Sequence, residues 1–112
     1  MPLIQVNKTQ VIDGLRELAD FDFQKRVWLS GAGPEMSSFV EAVCGLFDDS
    51  GLGLALDKGQ SVYDPEIDSL LRWIQAMISK IERVNNLSDL SSPQMDMMRN
   101  LAAKALSALT LL

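Results

Sequence analysis

Asp64-Pro65-Glu66-Ile67-Asp68-Ser69-Leu70-Leu71-Arg72-Trp73-Ile74-Gln75-Ala76-Met77-Ile78-Ser79-Lys80-Ile81 is the stretch from which the fold class is read. Ile67, Leu70, Leu71, Ile74, Met77, Ile78 and Ile81 recur at intervals of three and four, with Trp73 beside them, which places apolar side chains along one face of an α-helix. Asp64 offers an oxygen to the free amides of the first turn. Pro65 follows at the first helical position, where a missing N–H costs nothing. The spacing predicts a helix of about twenty residues, about 30 Å long, with Trp73 in the core.

Outward from this helix the same logic finds others. Ser92 caps and Pro93 opens a C-terminal helix in which Met95, Met98, Leu101, Ala102, Ala105, Leu106 and Leu109 form the apolar stripe and Asp96 lies near the positive end. Near the N-terminus, Asn7 caps a helix from about Lys8 to Asp20, with Gln10 able to reach back and Val11, Ile12, Leu15, Leu18 and Ala19 on one stripe. Gly14 weakens that helix by roughly 1 kcal/mol relative to alanine. Gly33-Pro34-Glu35 opens a second helix through about Asp48, with Met36, Phe39, Val40, Val43, Cys44 and Phe47 buried and Asp49-Ser50-Gly51 ending it.

Phe21–Leu29 reads as either a short helix capped by Asp22 or a strand. Helix is favoured because Phe21, Phe23, Val27 and Leu29 alternate poorly and Trp28 falls with the apolar positions. Gly51 to Gly59 is glycine-rich and reads as a loop under which Leu52, Leu54 and Leu56 tuck. The expected architecture is an all-α, single-domain bundle of four or five helices over residues 1–112, with no repeat or dividing linker.

The chain has 112 residues, 47% of them hydrophobic and 22% charged, the balance of a folded domain. At this size about two-thirds of the unfolded surface can be buried, so no disulfide is required, and the one cysteine, Cys44, cannot form an internal one. That points to a reducing, cytoplasmic setting. The first residues lack a basic start followed by an apolar run, and the apolar stretch Leu101–Leu112 is short and interrupted by Lys104, so neither an export signal nor a membrane span is expected.

Charge is unevenly distributed. Of 15 acids and 10 bases, Asp48, Asp49, Asp57, Asp64, Glu66 and Asp68 fall within residues 48–68 against Lys58 alone, so the rest of the chain is neutral. A localised acidic surface attracts a basic partner over long range and speeds encounter, and its bland alternative is ordinary solvated surface. Tyr63, beside Asp64, is either an aromatic anchor within that acidic rim or a ring packed over the helix N-terminus. The pI near 4.5 and the scattered bases argue against direct nucleic-acid binding. Met97, off its helix's stripe, together with Leu111 and Leu112, marks a possible homodimer surface.

Catalytic readings fare poorly. The absence of histidine removes the commonest general base and metal ligand. Cys44 lies among apolar positions and reads as a core residue without a base to activate it. A calcium loop starting at Asp48 would need an acid where Gly59 stands. Asp64 and Asp68, one turn apart, read more simply as a helix cap and a first-turn charge than as a metal or acid–base pair. Gly31-Ala32-Gly33-Pro34-Glu35 lacks the later glycine and lysine of a phosphate loop. No enzyme activity, cofactor or metal is expected.

Phe23-Gln24-Lys25-Arg26-Val27-Trp28-Leu29, followed by residues 33–52 from Gly33-Pro34-Glu35 through Asp48-Asp49-Ser50-Gly51-Leu52, resembles small acidic bacterial cytoplasmic proteins known as immunity proteins of contact-dependent and related polymorphic toxin systems. The resemblance implies a non-enzymatic inhibitor that binds a cognate toxin domain, often a nuclease. No motif of that group carries over residue by residue. The expectation is that Asp48, Asp49, Asp57, Tyr63, Asp64, Glu66 and Asp68 form the face that occludes the partner's basic groove.

Overall fold

A computed structural model describes residues 3–29, 37–81 and 84–112. Among them are seven helical elements and no strand: α1 (Lys8–Ala19), α2 (21–29), α3 (39–49), α4 (Leu52–Asp57), α5 (Pro65–Ile78), α6 (Leu87–Leu90) and α7 (Pro93–Thr110). In α2 and α3 an α-helical start widens into a π turn, at Gln24–Leu29 and Cys44–Asp49. The all-α expectation holds. One core cluster joins α1, α3, α4, α5, α6 and α7, and α7 packs broadly against both α1 and α5.

The helix starts follow from side-chain oxygens accepting free amides. Asn7 accepts from the Gln10 amide at 3.1 Å, Asp64 from Ile67 at 2.7 Å, and Ser92 from Met95 at 3.2 Å. Val11, Leu15 and Leu18 of α1, Ile67, Leu71 and Ile74 of α5, and Met95, Met98, Ala102, Ala105 and Leu109 of α7 are buried, as their spacing predicts. The structure corrects several other expectations. The α5 helix ends at Ile78, short of twenty residues, where Ser79 donates to the Ala76 carbonyl at 2.6 Å. Trp73 is 56% exposed on its outer face, not in the core. The cap of α2 is Asp20, which accepts from Phe23 at 2.9 Å, and Asp22 instead pairs with Lys25 in solvent.

In α3 the cap is Ser38, accepting from Glu41 at 3.1 Å, so the described helix begins at Phe39. Gly31–Glu35 and Met36, expected to open this helix, lie outside the described residues. Its buried face is Phe39, Ala42, Leu46 and Phe47; Val40 is 66% exposed, and Val43 and Cys44 are half-buried. The apolar stripe is thus rotated toward Ala42 and Leu46, and Gly14 explains the rotation. A Cβ at residue 14 would lie 2.8 Å from Leu46 Cβ and 3.1 Å from its Cα. The absent side chain lets α1 and α3 cross with backbones almost touching, which a larger residue would prevent.

Within the 51–59 stretch expected to be a loop, Leu52–Asp57 forms a helix. Leu52, Ala55 and Leu56 are buried whereas Leu54 is 53% exposed, so burial follows helical spacing, not every second leucine. Gly51, at φ +87°, starts α4, and a Cβ there would meet the Gln5 carbonyl oxygen at 2.6 Å. The N-terminal strand of chain is held at this corner. Asn7 N–H donates to Ser50 O at 2.9 Å, and the Gln60 amide pairs with Ile4 through two 2.9 Å bonds, one in each direction.

A buried polar hub ties the helices together. Gln24, fully buried, donates to the Glu17 and Leu18 carbonyls at 2.8 and 2.9 Å, satisfying the end of α1. Its oxygen accepts from Arg99 Nη1 at 3.0 Å, and Arg99 also donates to the Leu90 carbonyl at 2.9 Å and to Asp96. The guanidinium lies 4.5 Å from the Phe21 ring centre. Arg99 thereby links α2, α6 and α7, and Gln24 carries the connection on to α1.

Candidate functional site

Asp48 and Asp49 occupy the last turn of α3 and Asp57 the last turn of α4, all three exposed. None of them pairs with a cation among the described residues, and Asp57 only accepts a 3.4 Å bond from Gln75 of α5. Glu66 is also exposed. It stands nine residues before Gln75 on the same helix, and at about 100° per residue that places it half a turn away, on the opposite side of α5. The acidic window, continuous in sequence, is therefore divided in space. Asp48, Asp49 and Asp57 face solvent at the α3–α4 corner, and Glu66 looks out beyond α5.

Asp68 leaves the surface altogether. It is 3% exposed and accepts from the Val62 and Tyr63 amides at 2.9 and 3.0 Å. A buried carboxylate with two backbone donors is a support for the 61–64 segment, not a docking group. Asp64 spends its oxygen on the cap of α5 and is half-buried. Tyr63 packs against the core, and its hydroxyl is enclosed with no partner among the described residues. Burial first, then the Asp68 charge, push its phenol above the ordinary tyrosine range. Of the seven expected site residues, Asp48 and Asp49 stand exposed together at the end of α3, Asp57 is exposed at the end of α4, Glu66 stands apart, and Tyr63, Asp64 and Asp68 build the scaffold beneath.

Cys44 is half-buried, not a core residue, and it lines an apolar groove of about 330 Å³ between α3 and the segment following α5. Phe39, Val40 and Val43 form one side with Cys44; Ile78, Ile81 and Val84 form the other; Ser38 and Asn85 complete the lining. Among the described residues no charged side chain lines it. At the Cys44 end, burial first and then the neighbouring Asp48 and Asp49 carboxylates push the thiol up from its usual value. A thiol held protonated is a poor nucleophile. The described residues contain no group of three potential metal-ligating side chains of the His, Cys, Asp and Glu type.

Sequence reasoning missed this groove because its reading of α3 put Val40 and Cys44 in the core. The available signal was Gly14, a buried glycine opposite α3 that moves the contact line to Leu46. Fold and site together define a small helical protein with an acidic corner beside an apolar groove. Comparisons with protein-family models, with curated proteins and with solved structures give no match. No helix among the described residues is long and apolar enough to cross a membrane.

Proposed function

We propose that this chain is a non-catalytic binding protein of the immunity type, which neutralises a basic toxin domain in the bacterial cytoplasm by covering its active-site groove. The observation that carries this reading is the exposure of Asp48, Asp49 and Asp57 at the ends of α3 and α4, three carboxylates without a cation among the described residues. A nuclease domain binds phosphates through lysine and arginine, and a fixed set of carboxylates offers the same charge to that groove. Glu66 adds to the long-range field from the other side of α5 without joining the contact.

The experiment is capture of a partner by the tagged chain from its native cell, repeated with Asp48, Asp49 and Asp57 all replaced by lysine. A basic protein recovered at equal stoichiometry, toxic when expressed alone and lost from the triple variant, is the expected result. Equal recovery by both chains would reject the corner as the site. Self-association through α7 has weaker support: Met97 and Leu111 share a face, but exposed Asn100 and Lys104 interrupt it, so no continuous apolar strip is offered to a second copy.

A further inference from the structure

The apolar groove beside the acidic corner carries an inference that rests on the proposed function and sharpens it. We infer that the groove between α3 and Ile78, Ile81, Val84 and Asn85 receives aliphatic side chains of a basic partner segment, whose lysines or arginines then meet Asp48, Asp49 and Asp57. Three observations support a partner of this chemistry. Among the described residues the lining is apolar on both sides, and Val40, two-thirds exposed, stands at its rim. The acids are placed at one end of it: along α3 the outward-facing order is Val40, Cys44, Asp48, so an apolar rim gives way to carboxylate after two turns. Asp57 stands toward the far wall: it accepts a bond from Gln75, and Gln75 lies one turn before Ile78 of that wall.

A segment that fits this surface has aliphatic residues one helical turn apart, with basic residues a further turn along. Binding then divides into two tasks. The acids attract and orient the partner through a field that salt screens. Desolvated contact in the groove supplies the anchoring that holds it, as in interfaces where a few buried side chains dominate. A volume of about 330 Å³ is at the small end of ligand pockets, suited to side chains more than to a large cofactor.

The test uses the full chain and a synthetic amphipathic peptide carrying two leucines one turn apart followed by lysines. Two control peptides replace the leucines with serine or the lysines with glutamate. Cys44, the single cysteine, lines the groove and reports occupancy through its rate of alkylation by iodoacetamide. The expected result is protection of Cys44 by the leucine–lysine peptide alone, with affinity reduced about tenfold or more by Val40→Glu. That substitution adds negative charge, so attraction alone would leave binding unchanged or improve it. Val40 is exposed, so the fold does not depend on it. Binding abolished by the triple lysine variant yet indifferent to Val40→Glu and to loss of the leucines would overturn the groove and leave the acidic corner standing. Equal binding of the leucine–glutamate peptide, or no protection by any peptide, overturns the inference; equal binding to the triple lysine variant overturns the acidic reading itself.

Discussion

Replacing Asp48, Asp49 and Asp57 with lysine should make the protein more stable while removing its proposed binding. The reason lies in where the acids stand. A helix C-terminus carries partial negative charge from its unpaired carbonyls, and a carboxylate there is repelled. Asp48 and Asp49 sit in the last turn of α3, which contains no basic residue in that turn, and Asp57 ends α4, which also lacks one. Each exposed charge at a helix end contributes about 0.3–1 kcal/mol at low ionic strength. Removing the unfavourable charge and adding a favourable one at each position, at the low end of that range for these short exposed helix ends and with adjacent Asp48 and Asp49 not fully additive, gives about 1–2 kcal/mol of added stability. For a domain of this size that raises the melting temperature by about 4–8 °C. Thermal unfolding followed by far-ultraviolet circular dichroism, at low and at high salt, measures it, and the gain should shrink as salt screens the charges. A triple variant that melts at or below the parent temperature in low salt would refute the reasoning. The acids would then contribute to the fold, and their position would no longer speak for a partner.

The two alanine substitutions at Gly14 and Gly45 should differ in sign. At Gly14 the new Cβ meets Leu46 Cβ and backbone, costing about 1–3 kcal/mol of strain against a helix-propensity gain of about 1 kcal/mol; at Gly45 nothing lies within 4 Å, so urea unfolding should show a gain. In the Asp48→Lys, Asp49→Lys variant the thiol of Cys44 loses two of the causes that raise it, so the pH profile of its alkylation should move to lower pH; an unmoved profile would mean the carboxylates do not reach it. Burial of Cys44 and Tyr63 raises both groups above their unfolded values. The folded state then holds protons that the unfolded state releases, so melting temperature should fall as pH rises past about 8.5 and then about 10, and a flat alkaline profile would contradict this. Asp68→Ala leaves the Val62 and Tyr63 amides unpaired and should cost about 1–3 kcal/mol per amide that stays dry, read as a lowered urea midpoint.

Helix ends were the most legible part of this chain, since a cap is a local device: Asn7, Asp64 and Ser92 each bond an amide three residues on, and a neighbour in sequence suffices to predict it. Faces were less legible. Trp73 borders the apolar stripe of α5, and apolar character alone cannot say on which side of the stripe the packing stops; here it stops before Trp73. In α3 the phase was set from outside, by Gly14 of another helix, and the π turn at Cys44–Asp49 departs from the 3.6-residue period on which the reading rested. Arg99 and Gln24 left no trace in the pattern, because a satisfied buried polar pair between α2 and α7 depends on residues 75 positions apart. The acidic window was legible as a charge count but not as a surface, since Asp68 turned inward and α5 separated Glu66 from the rest.

Sorting the described acids by their local role gives the strongest support for a partner at the α3–α4 corner. Asp20, Asp64 and Asp89 each accept a backbone amide at or near a helix start; Asp68 supports a loop; Asp96 holds Arg99; Glu17 meets Ser37; Asp13 and Asp22 face Arg16 and Lys25. Glu41 and Glu66 lie in first turns, where the helix dipole favours negative charge. Asp48, Asp49 and Asp57 neither cap a helix start nor pair with a cation among the described residues, Asp57 accepting only a 3.4 Å bond from Gln75, and they stand where the dipole disfavours them. Three charges at two helix ends, with only the bond from Gln75 in return, should lower stability, and a stability deficit of that kind is characteristic of a site that works on something outside the fold. The compensation proposed is a basic partner, which would supply the cations that α3 and α4 lack. Binding should accordingly raise the melting temperature of the parent chain, and leave that of the triple lysine variant unchanged.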